Sequence, residues 1–508
     1  MDDLVGKEVM ISIEDISSRP WGFLNHGDYR FLVFVREKSL SINQEVKVKI
    51  KKRKKRFFIA TPINTKKYSS SKLCGHYHDC EGCNLLHLKH PEQLGILKSK
   101  LNHFCKKEDV FLDYKSISSK QHHYRNKFRG FLNFRFDANR HLNIKLGLYD
   151  ENNNITDISN CLVNSKKINQ LLNQLKDYLQ TRAKRFILNT EYDFEGYEKV
   201  FKKDIKFHVS FSSNYDVFNS SYQFKDNYVI FIDFNKNSKN GFYDKLIEKP
   251  FYQFFKKDKA NIQTVIKSDS TFSLKRNSFI CDKIDLESFG IRNNSEINKN
   301  QQINYFNKPS NLKKNNSHEK DNKKSIKMAF LPGIFKQCNS SINLKIIKKI
   351  SEKVDLFNNL NIIDLYCGNG NLSLFNLDKK HVSSYYGFES NKMSCSSLMH
   401  SLNINDFNIN SKVFHTFINP NSNLNKIKSV FSKKESNLLI LNPPRNYQIS
   451  KIIDTLEPNQ FIYLSCSPRS FLKDIKHFDN YKKKEIILYD MFPNTTHFEM
   501  FGYFQKEK

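Results

Sequence analysis

Four short apolar runs in the C-terminal part of the chain, "NIIDLYCGNGN", "SYYGFES", "NLLILNPPRN" and "FIYLSCSP", each break off into a polar turn, with helical stretches between them. Continuous apolar runs of this length suit strands covered on both faces, which happens when helices alternate with parallel strands. The pattern predicts a Rossmann-like, doubly wound α/β sheet over residues 331–508. Open sheets of this kind collect their ligands beyond the carboxyl ends of the strands. The turn residues are therefore the first candidates for function.

The first strand is expected to end at Asp364 and to run into a glycine turn with Gly368 and Gly370. Glycines there let the backbone approach a ligand and open the next helix. A dinucleotide fold would want a third glycine where Ser373 stands. Glu389 closes the next strand, where a carboxylate accepts from both ribose hydroxyls. Strand, glycine turn and strand-end acid together fit S-adenosylmethionine better than NAD. Asn442, Pro443, Pro444 and Arg445 end the third strand, and two prolines stiffen that loop. Cys466 lies just past the fourth strand. A free cysteine is usually a small buried hydrophobe, so its position alone leaves both readings open. Arg469 is the nearest cation in the sequence and would favour a thiolate.

The chain carries 83 Lys and Arg against 52 Asp and Glu, a net charge of +31. An excess this large points to a polyanionic partner, most simply nucleic acid. No run approaches the ~18 apolar residues of a membrane span, and the N-terminal residues lack a charged-then-apolar signal pattern. The ten cysteines are clustered in a way unlike a secreted disulfide framework. A cytoplasmic, monomeric protein is expected.

Residues 1–62 alternate apolar and polar in short runs, which predicts a small antiparallel barrel or sheet. Its last strand is densely basic from Lys47 to Arg56, with Phe57 and Phe58 following. Basic groups beside aromatics suit phosphate contact and base stacking, and a solvated edge strand explains the lysines equally well. Residues 63–330 form a mixed central region. Within it "PEQLGILKSKLNHFCKK" has helical spacing, and "HHYRNKFRGFLNFRF" alternates. Residues 293–325 are polar and of low complexity, an insertion or linker.

"CGHYHDCEGC" supplies Cys74, Cys80 and Cys83 in a C-x5-C-x2-C pattern. Structural zinc usually takes two closely spaced pairs, which this spacing suits poorly. Three thiolates with one distant cysteine suit an iron–sulfur cluster, Cys161 in "DISNC" being the candidate fourth ligand. Zinc assisted by His76 or His78, and a loop that holds no cluster, are the alternatives.

These stretches, with "HYRNKF", "LGLYD", "FLPGIFKQCN", "LSCSP" and "DMFPNTTHFEMF", follow the order seen in the RNA uracil-5-methyltransferase family. The chain resembles most its iron–sulfur members acting on 23S ribosomal RNA, and the N-terminal region resembles the TRAM domain, an OB-like RNA-binding module. The resemblance implies a [4Fe–4S] cluster on Cys74, Cys80, Cys83 and Cys161. It implies methyl-donor contacts from Gln337, Tyr366, Asn371 and Glu389, with Asn442 standing where the family usually has an aspartate. It implies Cys466 as nucleophile and Glu499 as general base, with RNA as partner. Transfer RNA is an alternative substrate, and the Asn442 departure keeps a catalytically weakened RNA-binding or ribosome-assembly factor in view.

Overall fold

The computed structural model describes residues 4–16, 21–26, 29–34, 45–54, 57–63, 74–77, 79–80, 82–136, 142–150, 154–188, 205–212, 227–233, 261–268, 271–274, 280–285, 325–330, 334–419, 424–431, 436–445 and 447–507. The insertion at 293–325 lies outside them except for Ser325, and so does His78.

The first six strands are β1 (Glu8–Ser12), β2 (Asp15–Ile16), β3 (Trp21–His26), β4 (Tyr29–Phe34), β5 (Glu45–Lys54) and β6 (Phe57–Pro62). They form one sheet in the order β1-β5-β6-β4-β3-β2. The basic segment is not the last strand, as its composition suggested. It is β5, which turns back on β6 as an antiparallel hairpin. Period two decides which side chains face inward: Val46, Val48 and Ile50 are buried while Lys47, Lys49, Lys51 and Lys52 are exposed. Phe58 is buried and stacks on Phe31 at 5.2 Å. It serves this core and is not free to stack on a base.

The central region supplies α1 (His90–Glu108), β7 (Lys115–Ile117), β8 (Lys127–Phe136), β9 (Leu142–Tyr149), β10 (Ile155–Asp157), α2 (Lys166–Leu188), β11 (Ile205–Ser212), β12 (Asn227–Asp233), β13 (Asn261–Ser268), β14 (Thr271–Leu274), β15 (Ile280–Asp285) and β16 (Ser325–Phe330). Strands β8 to β14 make a seven-stranded sheet in the order β10-β9-β8-β11-β12-β13-β14. Helix α1 starts where its sequence directs: Pro91 sits in the first turn, and the Lys89 N–H donates to Glu92 at 2.7 Å. Its buried stripe is Gln93, Ile96, Leu97, Leu101 and Cys105.

The remaining elements are α3 (Ser340–Val354), β17 (Leu360–Leu365), β18 (Val382–Glu389), α4 (Lys392–Asn405), β19 (Asn410–His415), α5 (Leu424–Lys428), β20 (Ser436–Leu441), α6 (Ser450–Leu456), β21 (Gln460–Ser465), α7 (Pro468–Ile475), β22 (Tyr481–Tyr489) and β23 (Glu499–Lys506). They build the sheet β19-β18-β17-β20-β21-β23-β22-β7. Strands β17 and β21 are buried throughout. Side chains of α3 and α4 pack into the core on one face, those of α1, α6 and α7 on the other. The sheet is doubly wound but not wholly parallel. β23 runs antiparallel to β21 and to β22, because the short β22–β23 link has no room for a crossover helix. The edge strand β7 comes from before residue 331, so the sheet crosses the expected boundary there. Among the described residues no helix is long and apolar enough to cross a membrane.

Candidate active site

The reversal of β23 brings together Cys466 and Glu499, the expected nucleophile and base. In the β21–β23 ladder Ser465 is the partner of Met500. Cys466 follows the last residue of β21, and Glu499 is the first residue of β23. Two residues far apart in sequence thereby meet at one edge of the sheet. Arg445, from the loop after β20, hydrogen-bonds the Cys466 sulfur and bears on Glu499 as well.

Burial dominates the chemistry of both groups. It pushes the Glu499 carboxyl up to about 8, with Arg445 pulling weakly the other way. Burial also pushes the Cys466 thiol up, Glu499 adds to this, and Arg445 opposes it. Glu499 keeps its proton below about pH 8, so near neutrality it opposes the thiolate little. Arg469 takes no part: its Nε pairs with Glu108 at 3.2 Å. Arg469 was the expected cation, and Arg445 on the neighbouring loop fills that place. His497, two residues before Glu499, is held neutral, its pKa lowered to about 4 chiefly by burial.

The glycine turn and Glu389 form a second group on the same edge. Tyr366 and Gly368 have φ of 60° and 58°, and Gly370 has φ of 83°. A Cβ on Gly370 would stand 2.5 Å from Leu398 Cδ1, so space and backbone both demand glycine there. The Gly368 N–H donates to Glu389 Oε2 at 3.0 Å, and the Asn391 N–H to Oε1 at 2.7 Å. Ser373, at the absent third glycine, is fully buried and donates to Asp364 at 2.6 Å. Burial pushes Asp364 up to about 7. The serine therefore answers a buried acid beside Tyr385, and a glycine would remove one of its two partners.

Of the other expected donor contacts, Gln337 is buried just ahead of α3. Asn442 is half-buried at the end of β20, its N–H reaching Leu365 O at 3.4 Å. Asn371 exchanges two amide hydrogen bonds with Asn343, at 2.8 and 2.9 Å, so its side chain is already engaged. The donor still fits the turn in two respects. The buried Tyr366 hydroxyl has no partner, and nothing lies within 4 Å of where a Cβ would stand on Gly368. An aromatic row invisible in the sequence flanks the turn. Tyr447 meets Tyr366 at 5.9 Å and Phe417 at 6.4 Å, both edge-on. Phe417 is 58% exposed, and its neighbour Thr416 donates to Glu389 O at 2.8 Å.

Cys74, Cys80, Cys83 and Cys161 line a single cavity, walled by Leu86, Phe128, Ile158 and Val163 and flanked by Arg125. The Gly82 N–H points at Cys80 Sγ at 3.4 Å. His76 Nε2 accepts from the Ser159 N–H at 3.3 Å, which occupies the lone pair a metal would need. Among the described residues no three His, Cys, Asp or Glu are grouped so as to hold one metal ion. Cys74, Cys80, Cys83 and Cys161 form no disulfide.

Residues 308–507 match the family model tRNA (Uracil-5-)-methyltransferase. An uncharacterized RNA methyltransferase of Staphylococcus aureus (strain MRSA252) is 24% identical over 494 residues, covering 94% of this chain and 93% of its own. A 23S rRNA (uracil(1939)-C(5))-methyltransferase of Legionella pneumophila (strain Paris) is 31% identical over 188 residues, 36% of this chain and 40% of its own. The crystal structure of Pyrococcus abyssi tRNA (uracil-54, C5)-methyltransferase with S-adenosyl-L-homocysteine shares the fold. It superposes with a TM-score of 0.59 at 17% identity, over 98% of this chain and 100% of that one. With that fold, and with a cysteine and a carboxylate brought together at the ligand edge of its sheet, residues 308–507 match the RNA uracil-5-methyltransferase family, and the chain is an S-adenosylmethionine-dependent RNA methyltransferase.

Proposed function

We propose that this protein methylates C5 of a uridine in 23S ribosomal RNA through a covalent bond between Cys466 and C6 of the base. The observation that carries the reading is the placement of Cys466, Arg445 and Glu499 around one point beside the glycine turn. C5 of uracil is a weak nucleophile. Addition of the Cys466 thiolate to C6 makes the ring an enolate and places electron density on C5. S-adenosylmethionine supplies the electrophilic methyl group, and the glycine turn, Glu389, Tyr366, Gln337 and Asn442 would hold it. The Glu499 carboxylate then takes the C5 proton, and the enolate electrons expel Cys466 as thiolate.

Arg445 serves both steps in turn. Before attack it favours the thiolate. Once sulfur is bonded to C6 that charge is gone, and the guanidinium is left to favour the Glu499 carboxylate when a base is needed. A uridine must leave its stack to reach this edge, which costs a few kcal/mol and favours loops over duplex. The exposed lysines of β5 supply sequence-independent phosphate attraction, in keeping with a TRAM-like role for residues 1–62.

The [4Fe–4S] reading rests on four thiols lining one apolar-walled cavity, and His76, whose Nε2 accepts from the Ser159 N–H, is turned to backbone instead of assisting zinc. The cluster's role here is structural, since uracil methylation contains no electron transfer. The free thiols agree with a reducing cytoplasm.

The test is mass spectrometry of the protein mixed with donor and RNA carrying 5-fluorouridine. Fluorine cannot leave as a proton, so a covalent complex should accumulate with 23S ribosomal RNA and vanish in Cys466→Ala. Capture of transfer RNA alone would reassign the substrate. Absence of any complex from folded protein that binds the donor product would leave an RNA-binding or assembly factor.

A further inference from the structure

Cys161 is clasped by Asn169 of α2, which accepts from the Cys161 N–H at 3.1 Å and donates to its carbonyl at 2.8 Å. The chain that follows runs beside residues 123–125. The His123 N–H donates to Leu162 O at 3.0 Å, the Arg125 N–H to Val163 O at 2.9 Å, and the Ser165 N–H to Arg125 O at 2.9 Å. The opposite edge of the same segment is bonded to the chain ahead of α3. Arg125 bridges Asn339, the Asn126 N–H donates to Cys338 O at 2.8 Å, and Asn126 Nδ2 donates to Ser340 Oγ at 2.6 Å. Gln337 directly precedes these residues, and α3 carries the Asn343 that holds Asn371. The segment also fastens the loop leading to Glu499: the Tyr124 hydroxyl donates to Pro493 O at 3.0 Å, and Asn494 Nδ2 donates to Gln121 O at 2.8 Å.

One strap, residues 121–126, is thus bonded to the Cys161 loop on one side and to two walls of the methyl-transfer site on the other. Buried backbone hydrogen bonds are costly to leave unmade, so the three chains shift together before they separate. Asn126 is 6% exposed, and its Oδ1 has no hydrogen-bond partner. A buried amide with one atom unpaired is a poor choice for packing alone. Its bond to Ser340 accounts for its presence.

We infer that Asn126 is a positioning residue through which the four-cysteine centre sets the geometry of the methyl-donor site, so that filling the cysteine cavity strengthens donor binding across the strap. This rests on the proposed function in taking the cavity to hold an iron–sulfur cluster and Gln337 to face the donor. Coupling between two sites requires an element both of them bias, and the strap is that element.

The experiment is a cycle read by calorimetry of S-adenosylhomocysteine binding to the full chain without RNA. Iron-loaded and iron-free protein are compared in the wild type, in Asn126→Ala and in the milder Ser340→Ala, with circular dichroism as the check on folding. The wild type should lose about tenfold in affinity when iron is removed. Asn126→Ala should bind about tenfold more weakly with iron content and visible spectrum unchanged, and removing its iron should then matter less than about twofold. Folded iron-free wild type binding as tightly as the loaded form would overturn the inference. So would an iron effect of full size in both variants, which would show that the coupling does not run through this bond. Failure of anaerobic reconstitution to load iron would sink the cluster reading separately. The positioning role would then stand on the two variants alone, and unchanged affinity in both would end it.

Discussion

In the proposed reaction, burial and one cation divide the work between two acids, Glu499 and Cys466. A carboxyl held to about pH 8 is a poor base at pH 6 and a competent one above 8, so kcat/KM should rise with pH through that region. Glu499→Gln removes the proposed base but not the proposed nucleophile. Turnover should fall by ~10²–10⁴-fold, while the Cys466–RNA complex on ordinary uridine builds up and is seen as a retarded band on a denaturing gel. A variant that turns over normally would assign the proton transfer elsewhere. Because the folded protein binds the Glu499 proton more tightly than the unfolded chain, the stability tied to it is complete below the ordinary carboxylate range and is lost as pH rises through 8. Glu499→Gln should therefore flatten the decline in melting temperature between the ordinary carboxylate range and about pH 8. Phe417→Ala tests whether the aromatic row meets the donor: loss of a stacking ring should cost about threefold to tenfold in affinity for S-adenosylhomocysteine, with melting temperature unchanged, and unchanged affinity would place the donor elsewhere.

At the scale of elements, the glycine turn and the β21–β23 ladder carry the site. Gly370→Ala would force a Cβ into Leu398 at a φ of 83°. A loss of about 1–3 kcal/mol in urea unfolding is expected, with donor affinity falling beside it. The strands β17, β18, β20 and β21 were legible because they are buried on both faces and their apolar runs stop where the chain emerges. The antiparallel return of β23 was not. "THFEM" contains no trace of which neighbour it will pair with, since strand order depends on link length and on which sheet edge is free. The same limit hid Arg445. It reads as one more charged residue after two prolines until the sheet sets β20 beside β21. Arg469, closer in sequence to Cys466, is carried off by α7 toward Glu108.

For the whole molecule, the charge of +31 governs how the substrate is gathered. Lys49, Lys51 and Lys52 of β5 are exposed. Replacing all three with glutamine should weaken RNA binding at low salt and reduce the slope of log affinity against log salt by about 2–3. Filter binding across a salt series would show it, and an unchanged slope would place the RNA path elsewhere. The sequence by itself determined the doubly wound layer, the glycine turn, the basic β5 and the candidate cysteines, because hydrophobic period, backbone freedom and charge are local properties. Only the tertiary structure decided that four cysteines share one cavity, that Phe58 is buried against Phe31 instead of facing RNA, and that Glu499, Arg445 and Cys466 meet. Those juxtapositions depend on which distant strands and loops become neighbours, which is settled by burying the sheet's two faces together and is written in no single stretch of the chain.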